Sequence, residues 1–380
     1  TPSSPLNVCL VLDRSTSMQG EKMDTVKATA IQVLRNLRAQ DILSVVTFSD
    51  RAEVVIPASS HQEKARLEAK IQMIQPSGAT EIYRGLELGF KEVMRSLDGK
   101  RINHIILLTD GRTYGDEQQC LALASKLAEL GIGISGMGIG QEWNDIFLDV
   151  LSTRTGGSSA YIAQPQDIKR LLLEKFNALA KTYAEDVTLD TKFIEDVELT
   201  YAFRLQPESS PIALGEDTLH LGSIVQGTAT QVIFEYMIHP KAVKSDSLRI
   251  LDGTLKVAIA SQVMPVLPLR LRLERPVSDS PETEPPPPQI VQALSRLMLY
   301  RMQERAHSEI EKGNIAGATR HLKRLASNLL LQGERGLANT ILLEMEYLEK
   351  QNALTIEGSK KIKYGTRSLF DMPSKKELTQ

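Results

Sequence analysis

Three short stretches hold the residues best suited to chemistry: Asp13-Arg14-Ser15-Thr16-Ser17, Ser77-Gly78-Ala79-Thr80 and Thr109-Asp110-Gly111. Together they offer the carboxylates of Asp13 and Asp110 and the hydroxyls of Ser15, Ser17 and Thr80. Every donor is an oxygen, with no imidazole or thiolate among them. Such a set selects a hard divalent cation, Mg²⁺, Mn²⁺ or Ca²⁺, over zinc or copper. The alternation Asp-x-Ser-x-Ser lets successive side chains of a turning loop converge on one point. Gly78 relieves backbone crowding there, and Gly111 permits a sharp exit after Asp110. These side chains do not fill an octahedron, so water or an incoming carboxylate must complete it. The opening predicts a binding role, and no catalytic residue is expected.

For these stretches to meet, the chain must bring them to one edge of one sheet. Apolar runs at 6–12, 43–48, 53–57, 102–109, 132–139 and 160–163 alternate with helical patterns, such as Val26, Ala30, Val33 and Leu37, or Ile82, Leu86, Phe90, Val93 and Leu97. The alternation predicts a doubly wound α/β domain over residues 1–183, with a mainly parallel sheet covered on both faces. Ser49-Asp50 separates two runs with no helix between them, so 53–57 is expected to be an antiparallel edge strand ending at Pro57. All three stretches then fall on the carboxyl edge of the strands, where open α/β sheets bind ligands.

The texture changes after residue 184. Val187-Thr188-Leu189 and the run from Gln231 to Tyr236 are β-branched and alternating, with turn signals at Leu214-Gly215-Glu216-Asp217 and Leu251-Asp252-Gly253. Residues 184–275 are expected to form an antiparallel β-sandwich of about five or six strands. A linker over 276–288, ending in Pro285 to Pro288, favours an extended spacer. Helical patterns near 289–311, 314–331 and 335–351 break at Gly313 and Gly333 and predict a helical module over 289–352. In its middle helix Ile315, Ala318, Leu322, Leu325 and Leu329 share one face. Residues 353–380 are basic and read as a flexible tail, with Thr366 as a candidate phosphorylation acceptor.

The totals bound the remaining possibilities. The 380 residues carry 45 basic and 47 acidic side chains, a net charge of −2, a balance that does not point to nucleic acid or a membrane surface as partner and leaves room only for a local basic patch. No apolar run reaches the roughly 18 residues that span a bilayer. Cys9 and Cys120 do not make a disulfide framework and are expected to be buried thiols in the cytoplasm. The start at Thr1 is compatible with removal of an upstream segment. His61, His104, His220, His239, His307 and His321 show no metal-ligand spacing. Gly136-Met137-Gly138-Ile139-Gly140 has the look of a phosphate-binding loop but lacks the helix that should follow it. Lys22 reads as a solvated lysine at a helix start, and Trp143 as a core anchor.

Asp13, Ser15, Ser17, Thr80 and Asp110, in this order and in this strand–helix setting, resemble the metal-ion-dependent adhesion site (MIDAS) of von Willebrand factor A domains. The resemblance implies that Ser15, Ser17 and often Thr80 ligate the metal directly, with Asp13 and Asp110 acting through water. A Glu or Asp of a protein partner then supplies the last ligand. The accessory modules resemble bacterial multi-module A-domain proteins. That likeness implies an adaptor working with a Ser/Thr kinase–phosphatase circuit or an AAA+ ATPase. It also implies that the last helix of the domain, about 166–183, slides when the metal coordination changes. Two other readings share the site. A metal-dependent phosphohydrolase would use Asp13 as nucleophile but needs an acid where the sequence has Ser15. An extracellular adhesion protein would use the same metal in another compartment.

Overall fold

The computed structural model of the chain describes residues 4–59, 63–215, 217–239, 241, 246–259, 266–280 and 284–370. At the centre of its first sheet lies β1 (Leu6–Asp13), buried at every position. The other strands are β2 (Ile42–Phe48), β3 (Ala52–Ser59), β4 (Ile102–Thr109), β5 (Ile132–Ile139) and β6 (Ser159–Ile162), in the order β3-β2-β1-β4-β5-β6. All neighbours are parallel except β2 and β3, so β3 is an antiparallel edge. Pro57 lies within β3 rather than at its end, which an edge strand tolerates.

Helices α1 (Glu21–Arg35), α2 (Lys64–Gln72), α3 (Ile82–Met94), α4 (Glu117–Glu129), α5 (Asp145–Thr153) and α6 (Asp167–Ala180) cover the sheet. The two-residue period of the strands divides their side chains between the faces. Val8, Leu10, Leu12, Ile106 and Leu108 share one cluster with Val33 and Leu34 of α1 and Leu172 and Phe176 of α6. Cys9, Val11 and Ile105 point the other way, against Gly89 of α3. The glycine run in β5 serves packing: a Cβ on Gly138 would lie 2.0 Å from the indole of Trp143. That indole is fully buried and donates to the Gly140 carbonyl at 2.8 Å.

One residue after α6 the chain enters β7 (Thr182–Thr191), followed by β8 (Val197–Gln206), β9 (Ser210–Pro211), β10 (Thr218–Val225), β11 (Gln231–Ile238), β12 (Ser247–Ala258) and β13 (Val266–Pro276). These form two antiparallel sheets, β10-β7-β12-β13 and β11-β8-β9. Ala184, Leu189, Ala202, Leu219 and Val257 belong to one apolar cluster drawn from both sheets. Among the described residues seven strands stand where five or six are expected, the smallest being the two-residue β9. Leu251-Asp252-Gly253 is not a turn but lies inside β12, beside a register shift. Gly253 is required there because a Cβ would come within 2.8 Å of the Asp190 carbonyl oxygen of β7. The other expected turn includes Glu216, outside the described residues.

Buried polar contacts fasten these sheets to the first domain. His104 of β4 hydrogen-bonds Glu185 through Nδ1 and Ser135 through Nε2, the latter at 2.7 Å. The Arg204 guanidinium donates to the carbonyls of Gly156 at 2.8 Å, Gly157 at 2.9 Å and Glu208 at 2.7 Å. Glu208 in turn accepts from Lys175 of α6 at 2.8 Å and from the Ser158 hydroxyl.

Residues 282–380 form a separate compact unit. Its helices are α7 (Pro288–Glu311), α8 (Ile315–Gln332), α9 (Arg335–Gln351) and α10 (Ile356–Ser368). Asn314 caps α8 through Gly317 N–H, and Gly333 ends it at φ 87°. The flexible tail expected from residue 353 is corrected over 356–368, which form α10. Thr355 caps this helix by accepting from Gly358 N–H, and Glu344 of α9 accepts both the Thr355 N–H and its hydroxyl at 2.7 Å. Thr366 is fully buried and donates to the Ile362 carbonyl at 2.8 Å, so it is not presented as a phosphorylation acceptor. Residues 371–380 of the expected tail lie outside the described residues.

Candidate functional site

The sheet order reverses between β1 and β4: the chain runs outward through β2 and β3 on one side, then through β4, β5 and β6 on the other. Loops leaving β1 and β4 therefore diverge at this point and leave a crevice at the carboxyl edge. The first holds Asp13, Ser15 and Ser17, with Ser15 preceding and Ser17 inside a single 3-10 turn (Thr16–Met18) that leads toward α1. The second holds Asp110 and Gly111.

Backbone bonds tie the third stretch to the first. Thr16 N–H donates to the Gly78 carbonyl at 3.1 Å, and Ser77 N–H donates to the Arg14 carbonyl at 2.7 Å. Gly78 has φ +83°, and a Cβ on it would lie 2.3 Å from Asp50 Oδ1, so its crowding comes from the β2–β3 turn. Gly111 is needed for a different reason: a Cβ there would lie 3.0 Å from Thr80 Oγ1. The loop after β4 also fixes the start of α3, because Thr113 Oγ1 accepts the Ile82 N–H and Asp116 accepts the Tyr83 N–H, each at 2.9 Å.

Within this frame the side chains of Asp13, Ser15, Ser17 and Asp110 form a connected set, and Thr80 stands beside Gly111. Asp13 is fully buried; its Oδ1 accepts the Ser15 N–H and its Oδ2 the Thr109 hydroxyl, both at 2.7 Å. Ser15 Oγ and Ser17 Oγ are 3.1 Å apart, and Ser17 donates to Asp110 Oδ1 at 2.6 Å. Ser15, Thr80 and Asp110 are all buried. Burial raises the Asp13 carboxyl above the ordinary aspartate value, and the charge of Asp110 adds to this, while hydrogen bonds from Ser15 and Thr109 oppose it. Among the described residues no cation pairs with Asp13.

Asp110 differs. Its Oδ2 lies 2.6 Å from Nζ of Lys22, which also donates to the Ser17 carbonyl at 3.3 Å. Sequence reasoning treated Lys22 as solvated and passed over Thr109. The position of Lys22 in the first turn of the helix that follows the Asp-x-Ser-x-Ser loop was the available signal. Because Ser17 gives its proton to Asp110, it accepts from Ser15 and keeps one lone pair for another electrophile. The described residues contain no group of three or more His, Cys, Asp or Glu suited to a metal, so hydroxyls are an essential part of this donor set.

Comparison with known proteins agrees with this architecture. Residues 7–175 match the model of the von Willebrand factor type A domain, and residues 288–372 match that of the Sll0103-like, C-terminal alpha-helical domain. Protein sll0103 of Synechocystis sp. is 34% identical over 177 residues, covering 46% of this chain and 42% of that protein. YfbK of Escherichia coli is 23% identical over 317 residues, covering 81% of this chain and 55% of that protein. The chain thus spans about half the length of these curated relatives. A solved von Willebrand factor type A structure from Catenulispora acidiphila shares the fold with a TM-score of 0.75 at 15% identity, covering 96% of this chain and 89% of that one. The chain therefore carries a von Willebrand factor type A domain, followed by antiparallel sheets and a C-terminal helical domain of the Sll0103 type.

Proposed function

We propose that this chain is a divalent-metal-dependent protein-interaction module whose ion is held by Ser15, Ser17 and Thr80 with Asp13 and Asp110 behind them. The observation that carries the reading is Asp13, a carboxylate without solvent exposure and without a cationic partner among the described residues. An uncompensated buried charge costs several kcal/mol (order of magnitude). A hard cation beside it removes that cost, and the all-oxygen donor set suits Mg²⁺, with Mn²⁺ and Ca²⁺ as close substitutes. The bound ion supplies a Lewis-acidic point for one carboxylate, the Glu or Asp of a protein partner. One such contact fixes orientation, while the surrounding loops supply most of the affinity.

Two features favour binding over phosphoryl chemistry. Both oxygens of Asp13 are engaged by Ser15 and Thr109, so the carboxylate is not presented as a nucleophile. The position two residues on is Ser15, which cannot act as the acid for a leaving group. The partner class we propose is an acidic protein segment of a Ser/Thr kinase–phosphatase circuit or of an AAA+ ATPase assembly, with this chain as adaptor. We place it in the cytoplasm, where the free thiols of Cys9 and Cys120 stay reduced.

Calorimetric titration of Mg²⁺, Mn²⁺ and Ca²⁺ into the chelator-stripped chain tests the reading. One ion per chain is expected, with binding lost in Asp13→Ala and weakened in Thr80→Ala. Equal binding by wild type and Asp13→Ala, or none by either, would overturn it.

A further inference from the structure

Lys22 gives the two carboxylates of the site unequal roles. Its ammonium is 2.6 Å from Asp110 Oδ2, yet the lysine side chain stays 30% exposed while that of Asp110 is 1% exposed. It therefore reaches from the rim of the crevice into the cluster. Arg14, the basic residue of the Asp13–Ser17 loop, is engaged elsewhere: its guanidinium donates to Ser77 Oγ at 2.9 Å and faces Glu53 at 3.7 Å. Asp110 is paired with a basic side chain, and among the described residues Asp13 is not.

This asymmetry decides the charge that a partner meets. Asp13 and Asp110 alone would cancel a divalent ion and leave the loaded cluster neutral, with no net attraction for a further anion. With Lys22 in contact, one positive charge is left over, and a single carboxylate neutralises it. The same ammonium repels the ion and shares Asp110 with it, so it must also weaken the hold on the metal. Building on the proposed metal-dependent binding, we propose that Lys22 is a specificity-determining residue that trades affinity for the ion against affinity for one partner carboxylate. A partner presenting a single Glu or Asp matches this charge, and one presenting two adjacent carboxylates at the ion does not. Lys22 sits in the first turn of α1, where glutamine is tolerated and where arginine keeps the charge.

The test titrates Mn²⁺ alone into chelator-stripped wild-type, Lys22→Gln, Lys22→Arg and Asp13→Ala chains. Acetate is then added to each Mn²⁺-loaded chain, and displacement of water from the ion is followed by water-proton relaxation. Lys22→Gln is expected to bind Mn²⁺ on the order of tenfold more tightly and acetate about threefold more weakly. Lys22→Arg should stay within about twofold of wild type in both, the residual allowed for a change of head group. Mn²⁺ affinity in Lys22→Gln equal to or below wild type would overturn the inference while leaving the metal site intact. A wild-type chain that binds no Mn²⁺ would instead remove the proposed function itself.

Discussion

Replacing Asp13 with asparagine should stabilise the metal-free protein, an unusual outcome for a fully buried position. Asp13 accepts the Ser15 N–H and the Thr109 hydroxyl, both at 2.7 Å, and no cation among the described residues balances its charge. Asparagine fits the same space. Its carbonyl keeps the Ser15 bond, and its amide can donate to Thr109 Oγ1 once that hydroxyl rotates toward the Gly111 carbonyl at 3.4 Å. Exchanging two charge-assisted bonds for neutral ones costs about 2–3 kcal/mol. Removing an unpaired buried charge returns several kcal/mol (order of magnitude). The net gain is about 1–2 kcal/mol, or roughly 3–6 °C in Tm for a unit of this size. The order must reverse with metal: an ion at a hundred times its Kd adds about 2.7 kcal/mol to wild type and nothing to the variant. The pH dependence has a definite sign. Burial raises the Asp13 carboxyl, so folding favours its protonated form. The stability this confers is complete below the ordinary aspartate value and is lost as pH rises through the higher folded value. The gap between Asp13→Asn and wild type should therefore close in acid and open toward neutrality. Thermal melts in EDTA and in Mg²⁺ at several pH values check this. A variant less stable than wild type in EDTA at pH 7 would show that the hydrogen bonds outweigh the charge and that Asp13 does not call for a cation.

Other consequences follow from the packing. Thr366→Glu should unfold the helical unit, because an unpaired charge in place of a fully buried hydroxyl costs on the order of 3 kcal/mol or more; unchanged melting of α10 by circular dichroism would return residue 366 to a solvated tail. Gly138→Val places a Cβ 2.0 Å from the indole of Trp143 and should cost about 1–3 kcal/mol or more. Trp143 is the single tryptophan of the chain, so its emission should move to longer wavelength; an unshifted spectrum contradicts the close fit. Burial, assisted by the charge of Glu92, pushes the Cys9 thiol up to about 12, and burial also raises Cys120. Neither should react with a neutral-pH thiol reagent until the protein is denatured, and labelling of the native chain would contradict this.

The α/β domain was legible because buried parallel strands leave an unbroken signature: β1 and β4 are apolar runs with no polar face to confuse the period. Asp13, Ser15, Ser17, Thr80 and Asp110 were legible as a set because each stands at a strand end or helix start, where sequence position fixes placement on the sheet edge. Lys22 was legible only as a helix-start lysine beside the first loop, since its contact with Asp110 joins the first turn of α1 to a loop 88 residues away. Helix α10 was hidden for a related reason. Its buried side chains include Lys360 and Arg367, so a helix with a polar inner face reads as a solvated one. Arg367 stacks on Tyr300 with its guanidinium 5.2 Å from the ring centroid and donates to its hydroxyl at 2.8 Å, 67 residues away. The interior of β12 misled in the opposite sense, because the glycine of Asp252-Gly253 serves a close approach to β7 rather than a turn.

The placement of the antiparallel sheets gives the open edge its meaning. His104 is the third residue of β4, whereas Thr109 is its last, so the contacts to Glu185 and Ser135 lie toward the amino end of the strand. Gly156, Gly157 and Ser158, which Arg204 and Glu208 engage, all precede β6. The second module is therefore docked on the edge opposite the crevice, about 20 Å away at the rise of a parallel strand. Among the described residues, none of these contacts involves the loops that hold Asp13 and Asp110. Yet α6 passes into β7 after the single residue Lys181, so any displacement of α6 must load the bonds between Lys175 and Glu208 and between Arg204 and the Gly156–Gly157 carbonyls. An event at the carboxyl edge that moves α6 has no slack segment to absorb it before the sheets. The short junction therefore couples the two modules mechanically.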